Sequence, residues 1–385
     1  PPTKTYKALE FVEIDHAIVD LIVVDSKTRE ELGRPWITLA IDVGTRTILG
    51  FHLTFYAPSQ TSVALALEHC CCPKDEWLEE IGYEGEWRPY GLMKEVGWDN
   101  AKCFKSTPLR TALRLQNIKV RYRKVKTPTH GAHIERYIGT YMGKIHLLKG
   151  TTFSNTKDRE DYNSQKKSVI SLDELVLWTA HEINGVYHNT VHKGLGCTPL
   201  DAWDRDWIDS NGRCVIPPFP EDRREFRLAI MPGCYRVIGR EGIQRFGLKY
   251  WDDFLTPLIR DRKRYWIAHD PRNISVVYLR YDKRFIDIPW RDRRRRPIAL
   301  FELEDSKRAL RELNTDARSE AAIFQHMEEK IRIEENAEKL TRTQRRNVTR
   351  RPVDDRLKMT PAESNVDYQQ HSAGSIDPKE FMTKE

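Results

Sequence analysis

The sequence predicts a mixed α/β fold, followed by a segment of short strands and a charged, helix-prone tail. Val- and Ile-rich runs joined by short turns open the chain, and alternating helical and strand-like runs follow them. A Pro-rich stretch then precedes several short strand patterns. Because 385 residues are too many for one compact core, we predict three domains, over residues 1–215, 216–300 and 301–385.

The first domain is expected to begin with an antiparallel meander. Strands are predicted over residues 11–25, 36–43 and 47–56, joined by short turns. The apolar stretch after Ser59 favours a helix, and residues 73–97 are predicted to be loop-like. The remaining predicted elements are helices over about 108–115, 130–147 and 171–187, a strand over 118–122, and a short helix starting at Thr198-Pro199.

The second and third domains differ in pattern from the first. Residues 216–220 (IPPFP) resemble a stiff linker, and short strand patterns then recur about every ten residues from 225 to 290, which is typical of a small barrel or sandwich. After Pro297 the chain is helix-prone to about residue 345, and the polar remainder is expected to be disordered.

Composition narrows the possible classes of protein. The chain has a net charge of +7, yet residues 301–385 hold 16 basic and 18 acidic side chains, so the first 300 residues are the basic part. A basic body is compatible with a nucleic-acid partner. No apolar run is long enough for a membrane span, and seven Cys show no disulfide or metal spacing, which favours a reducing cytosol. The Pro-Pro start suggests a piece of a longer protein.

Three acids are candidates for a metal site. Asp15 interrupts an apolar strand, Asp99 follows a short apolar segment, and Glu135 lies just off the apolar stripe of a predicted helix. Burying an unpaired carboxylate is costly, so Asp15 should be paired or lie at a site. Three such hard oxygen donors could bind Mg²⁺. Any single acid among 57 is more often a solvated surface group, so composition alone does not select these three.

Spacing and resemblance do select them. The motifs EIDH (13–16), WDN (98–100) and HIER (133–136) resemble those of DDE integrases and transposases, and 35 residues separate Asp99 from Glu135, as in the family's D-x35-E pattern. Residues 187–203 resemble the closing segment of the integrase core. Residues 242–251 and 269–279 resemble the β-barrel of the MuA and TnsB transposases, and GRPWITLAIDVGTRTILGF (33–51) resembles the TnsB branch most.

This resemblance implies a ribonuclease H-like integrase core with a mixed sheet, then a small β-barrel and a helical, partly disordered tail. It implies that Asp15, Asp99 and Glu135 bind two Mg²⁺, for which Mn²⁺ can substitute. The implied reaction joins the 3′-hydroxyl ends of a mobile element to target DNA, with cleavage of those ends as a further expected step. Asn100 and Arg136 match family neighbours, whereas the Ala after Asn100 departs from the usual Asn-Gly.

Basic side chains in three segments are candidate DNA contacts, since phosphate contacts raise affinity without specifying sequence. They are Lys119, Arg121, Arg123, Lys124, Lys126, Arg136, Lys144, Arg293, Arg294, Arg295 and Arg296. Alternatively, the first segment is a charged edge strand and the arginine block a solvated linker. Zinc binding by His130 and His133, or by His188 and His192, is disfavoured because no Cys partner or HExxH pattern accompanies them.

The resemblance also implies partners. These are transposon-end DNA, target DNA, further copies of the chain on paired ends, and an AAA+ ATPase regulator contacted through the tail; no membrane partner is expected. The implied location is the bacterial cytoplasm, in association with the nucleoid. Two alternatives stay open, namely a retroviral-type integrase and a catalytically inactive DNA-binding scaffold.

Overall fold

The computed structural model describes residues 5–99, 107–123, 131–152, 168–209, 211–312, 321–325, 327–329 and 332. The chain divides into two compact units, Pro1–Glu320 and Ala321–Glu385. All elements discussed below lie in the first unit. The finer division at residues 215 and 300 stays a prediction.

A five-stranded mixed sheet, with strand order β5-β4-β1-β6-β7, forms the centre of the N-terminal region. The strands from the start of the chain to Tyr122 are β1 Val12–Ile18, β2 Val23–Val24, β3 Glu31–Gly33, β4 Trp36–Asp42, β5 Ile48–Thr54, β6 Glu95–Trp98 and β7 Lys119–Tyr122. β1, β4 and β5 pair antiparallel, whereas β6 and β7 run parallel to β1. The predicted meander and mixed sheet are therefore confirmed.

Two sequence predictions in this region are wrong in detail. The long strand over residues 11–25 is interrupted, because β1 ends at Ile18 and β2 pairs with β3 in a separate two-stranded ribbon. The Val19 N–H still donates to the Pro35 carbonyl beside β4, whereas the Ile22 N–H donates to the Gly150 carbonyl, so the backbone has left the sheet by Ile22. Residues 73–97, predicted as loop, contain a short helix and the strand β6.

Helices alternate with the strands and follow them, and several pack on the sheet. Their bounds are α1 Gln60–Cys71, α2 Asp75–Glu80, α3 Thr107–Leu115, α4 Ala132–Ile145, α5 Leu172–Ala180, α6 Pro199–Asp206, α7 Arg223–Ile230 and α8 Leu300–Glu312. The Ser171 side chain and Glu174 form the predicted capping box of α5, and Thr198 caps α6. Among the helices that the structure describes, none is both long and apolar enough to cross a membrane.

Two apolar clusters lie on opposite faces of the sheet, because side chains alternate along each strand. On one face, Val12 and Ile14 of β1 pack with residues of α1, α3 and α7. On the other face, Ile37 and Leu39 of β4 pack with residues of α4 and α5. In β1 the side chains of Glu13 and Asp15 therefore point toward the face that α4 covers.

A second β-rich region follows α7. It consists of a four-stranded antiparallel sheet, in the order β13-β12-β11-β8, and a two-stranded ribbon of β9 and β10. The bounds are β8 Gly233–Val237, β9 Ile243–Arg245, β10 Leu248–Tyr250, β11 Arg264–Asp270, β12 Asn273–Tyr281 and β13 Arg284–Pro289. Neither sheet closes on itself within the described residues, so the predicted barrel is not confirmed.

The strand patterns predicted from residue 225 begin with FRLAIM (226–231), and the prediction of a strand there is wrong. Residues Arg223–Ile230 form the helix α7, whose N-cap is Asp222 with its side chain accepting from the Glu225 N–H. Phe226 and Ile230 lie four residues apart and pack into the core beside α1 and α3. The short apolar run thus has helical rather than strand periodicity.

Candidate active site

Asp15, Asp99 and Arg123, which are two predicted metal ligands and one predicted DNA contact, lie side by side at three neighbouring strands of the sheet. β1 and β6 pair in parallel with Glu13 beside Gly97, and β6 and β7 with Trp98 beside Tyr122. Continuing these registers to the strand ends places Asp99 beside both Asp15 and Arg123. Adjacent strands are about 4.8 Å apart, and neighbours in register share a face of the sheet. The parallel pairing therefore brings these side chains together, with Asp15 in the middle of β1 and with Asp99 and Arg123 directly after β6 and β7.

Glu135 joins this row from the first turn of α4. The Nη1 atom of Arg123 donates to Oδ2 of Asp15 at 2.9 Å and lies 3.6 Å from Oε1 of Glu135. The Asp15 side chain is 20% exposed and the Glu135 side chain 60% exposed. Two of the three predicted acids thus approach the same cationic nitrogen, although 107 and 11 residues separate them from Arg123 in sequence.

The imidazole of His16 is influenced by the charges of Asp15 and of the third acid, Asp99. Burial of the imidazole lowers the pKa of His16, and the negative charges of Asp15 and Asp99 act in the opposite direction. The backbone N–H of His16 donates to Oδ1 of Asp15 at 2.8 Å, and its Nδ1 lies 2.8 Å from the Thr38 hydroxyl. The first contact orients the Asp15 carboxylate, and the second orients the His16 ring.

Glu13 is a site residue that the sequence analysis missed. Its side chain is buried, and its two carboxylate oxygens accept from the N–H groups of Gly131, at 3.2 Å, and Ile134, at 3.3 Å. Burial raises the pKa of Glu13, while the hydrogen bond from Ile134, the charge of Arg123 and the hydrogen bond from Gly131 oppose that rise. The carboxylate thereby caps α4 from the sheet. The available signal was its position two residues before Asp15, on the same face.

Gly131 permits this close approach of helix and sheet. Its φ of +95° lies in the left-handed region that favours glycine, and a Cβ there would lie 2.4 Å from Cζ of Arg123. The start of α4 therefore fits around the Arg123 guanidinium. This fit brings Glu135 toward the strand ends.

The residues suit a divalent ion in their chemistry. In the part of the chain that the structure describes, no three His, Cys, Asp or Glu side chains are gathered closely enough to hold a metal ion. A cation nevertheless lies between Asp15 and Glu135, since the Arg123 guanidinium contacts both carboxylates. Carboxylate oxygens are the donors that Mg²⁺ prefers, so the donor set fits the ion that the resemblance implies.

The predicted DNA contacts have varied surroundings. Lys119 and Arg136 are exposed, whereas Arg121 donates to Glu95 and to the Tyr6 hydroxyl and Lys144 lies 3.9 Å from Glu182. The arginine block pairs with nearby acids: Arg293 with Asp252, Arg294 and Arg295 with Asp292, and Arg296 with Glu302. Asn100, Lys124, Lys126 and His130 lie outside the described residues. DNA contact stays a prediction at each of these positions.

His188 is a core residue. The ring is fully buried, and its Nε2 accepts from the Ile48 N–H at 2.9 Å. Burial lowers the pKa of His188 to about 3, so the ring is neutral and structural. Cys70 and Cys71 end α1, Cys72 follows as its C-cap, and all three are buried.

Comparison with known proteins identifies the relatives of this chain. The TnsB C-terminal domain family matches residues 13–150, and the family described as Mu transposase, C-terminal, matches residues 227–287. The chain is similar to TnsB-type transposases. These two families match in the order that the resemblance implies, and together with the mixed sheet they support a ribonuclease H-like fold.

Curated relatives are distant. The transposase for transposon Tn552 of Staphylococcus aureus is 21% identical over 284 residues, covering 72% of this chain and 52% of that protein. The transposon Tn7 transposition protein TnsB of Escherichia coli is 21% identical over 294 residues, covering 69% of this chain and 41% of that protein. The chain thus spans about half the length, or less, of these relatives.

Among solved structures, the simian T-cell lymphotropic virus intasome in complex with the PP2A regulatory subunit B56 gamma matches with a TM-score of 0.33 and 13% identity, covering 76% of this chain and 81% of that one. The HTLV-2 integrase catalytic core domain in complex with magnesium matches with a TM-score of 0.29 and 10% identity, covering 52% of this chain and 99% of that one.

Proposed function

We propose that this chain is the catalytic part of a DDE transposase, which joins the 3′-hydroxyl ends of a mobile element to target DNA. The observation that supports the proposal is the contact of Asp15 and Glu135 with one cation, Arg123, at the end of the sheet where the strand register runs on to Asp99. The similarity to two transposases of mobile elements supports the same reaction class. Cleavage of the element's ends is the second reaction proposed for this site.

Strand transfer exchanges one phosphodiester bond for another. The 3′-oxygen of the element attacks a target phosphorus, the bond from that phosphorus to the target 3′-oxygen breaks, and the proton of the attacking hydroxyl ends on the leaving oxygen. Bound divalent ions supply Lewis-acid stabilisation of the attacking and leaving oxygens. The chain's own contribution is positioning, since no protein side chain needs to form a covalent bond with DNA.

Each acid has a separate role in that positioning. Asp15 is oriented by the His16 N–H and Asp99 lies beside it at the end of β6, so the sheet supplies two ligands. Glu135 supplies the third from α4, whose first turn is tied to the sheet through Glu13. We assign Asp15, Asp99 and Glu135 as ligands of two Mg²⁺, with Mn²⁺ as a substitute.

The wider proposal follows the family resemblance. Residues 1–215 would form the catalytic core, 216–300 the Mu-type β-domain and 301–385 a tail that contacts an AAA+ ATPase regulator. Further copies of the chain would assemble on paired element ends, in the bacterial cytoplasm. The basic residues named above would contact DNA phosphates. The two curated relatives are transposition proteins by name, which supports these assignments.

A strand-transfer assay tests the proposal. Full-length protein and pre-cut end oligonucleotides would be mixed with supercoiled plasmid in Mg²⁺ or EDTA, with the regulator ATPase supplied. We expect joining with the wild type in Mg²⁺, and none with Glu135→Gln, Asp15→Asn or Asp99→Asn. Glu79→Gln serves as the matched control, because Glu79 is an exposed helical acid on α2.

Two results would contradict the proposal. Joining that persists in one of the three variants would show that its acid is not required. Intact DNA binding without any joining by the wild type would favour the inactive scaffold.

A further inference from the structure

Arg123 is built into the carboxylate row and is not a free surface cation. Its backbone N–H donates to the Trp98 carbonyl at 2.9 Å, which extends the parallel pairing of β7 with β6. Its side chain is only 14% exposed. The register therefore places a buried guanidinium beside Asp99, on the face of the sheet that α4 covers.

The guanidinium is held by several groups at once. Nη1 contacts Asp15 at 2.9 Å and Glu135 at 3.6 Å, and Nη2 donates to the Ile14 carbonyl at 3.4 Å. A side chain on residue 131 would collide with it, because a Cβ there would lie 2.4 Å from Cζ. β1, the start of α4 and Gly131 together form a site that fits the Arg123 guanidinium between Asp15 and Glu135.

A metal ion bound by the same acids would compete for this position. Oδ2 of Asp15 already accepts from Arg123, and a guanidinium and a divalent ion a few ångströms apart repel strongly where burial limits screening. We propose that Arg123 is the resident counter-cation of the carboxylate site, and that the divalent ion binds only when the guanidinium leaves Asp15. This inference rests on the proposed function, since it assigns Asp15 and Glu135 as metal ligands.

The structure provides room for the displaced side chain. A cavity of about 460 Å³ adjoins the site and is lined by Arg123 itself, by Arg46 and Arg121, and by Glu13. Both oxygens of Glu13 are occupied by backbone N–H groups of α4, and Arg121 is paired with Glu95. A DNA phosphate in this cavity would attract the guanidinium away from Asp15. DNA and the metal ion should therefore each increase the affinity for the other.

Mn²⁺ binding to the full chain tests this competition without any need for catalysis. Mn²⁺ would be titrated into wild type, Arg123→Gln and Arg123→Lys in the absence of DNA, and the free ion would be measured by its electron paramagnetic resonance signal. We expect Arg123→Gln to bind Mn²⁺ about tenfold more tightly, since a competing charged contact is lost. Arg123→Lys should lie between the two, because it keeps the charge but not the planar fork.

The matched control is Arg29→Gln, which removes an arginine that pairs with Glu174 and with none of the site acids. Its Mn²⁺ affinity should equal that of the wild type, and Asp15→Asn should abolish the binding that Arg123→Gln strengthens. Equal or weaker Mn²⁺ binding by Arg123→Gln, with wild-type binding measurable and removed by Asp15→Asn, would overturn the inference alone. Absence of Mn²⁺ binding in every protein would overturn it together with the proposed function.

Discussion

Glu13 connects the sheet to the start of α4, and its replacement by Gln gives a prediction that links stability to chemistry. The carboxylate accepts from two N–H groups of the helix, those of Gly131 and Ile134. A Gln side chain offers one acceptor oxygen, so one of these N–H groups would face the amide –NH₂ instead. The helix N-terminus would also lose the negative charge that its dipole favours.

The magnitude follows from these two losses. A buried N–H left without a partner costs about 1–3 kcal/mol, and a charge at a helix N-terminus contributes about 0.3–1 kcal/mol. Removing a carboxylate that is only 4% exposed recovers part of its desolvation cost. We therefore expect Glu13→Gln to lower the free energy of unfolding by about 1–2 kcal/mol.

The effect on strand transfer should exceed the effect on stability. Glu135 lies one residue after Ile134, so loosening of this turn displaces a proposed metal ligand. Small displacements of reacting groups can reduce rates by about a hundredfold, and we expect a loss of about ten- to a hundredfold under conditions where the variant is folded. Urea unfolding and the strand-transfer assay would be run together, with Glu79→Gln as control. Unchanged strand transfer, despite the predicted loss of stability, would refute this role for Glu13.

Three further predictions concern buried charges and the packing around the core sheet. Burial raises the pKa of Asp42 from 3.8 to about 6, so the folded state binds the proton more tightly than the unfolded state. The free energy of unfolding should therefore fall by up to about 3 kcal/mol as pH rises across that window. Urea unfolding at pH 4 and pH 7 should show this fall in the wild type and not in Asp42→Asn. Burial lowers the pKa of Lys74 from 10.5 to about 8, so the free energy of unfolding should rise from pH 8 to pH 10.5. A Lys74→Met variant should lack this rise and should be about 1–3 kcal/mol more stable than the wild type at pH 7. A less stable variant would contradict the assignment. Gly44→Ala should lower the melting temperature, because its Cβ would lie 2.6 Å from the Tyr6 carbonyl oxygen; an unchanged melting temperature would show that the Tyr6 segment moves freely.

Local sequence signals predicted most of the core. Runs rich in Val and Ile located β1, β4 and β5, and the Ser171 and Thr198 caps located α5 and α6, since both signals depend on neighbouring residues. The segment Arg223–Ile230 was assigned wrongly because six apolar and basic residues are too few to separate helical from strand periodicity. Its Asp222 cap was the decisive residue.

The site was predicted in part for the same reason. The spacing of Asp15, Asp99 and Glu135 can be read directly from the sequence, whereas the surroundings of each acid depend on pairing between strands that are distant in sequence. Arg123 appeared as one member of a basic run, and only the register of β7 with β6 places it among the acids. Glu13 appeared only as the first residue of the EIDH motif, without a role, and the docking of α4 makes it a buried cap.

The most direct test of the central claim is a change of metal preference at Asp99. A Cys thiolate is a softer ligand than a carboxylate and binds Mn²⁺ better than Mg²⁺. If Asp99 is a metal ligand, Asp99→Cys should fail to join DNA in Mg²⁺ and recover joining in Mn²⁺, while Asp99→Ala stays inactive in both. Equal activity of Asp99→Cys in the two metals, or no recovery in Mn²⁺ with DNA binding intact, would contradict the account.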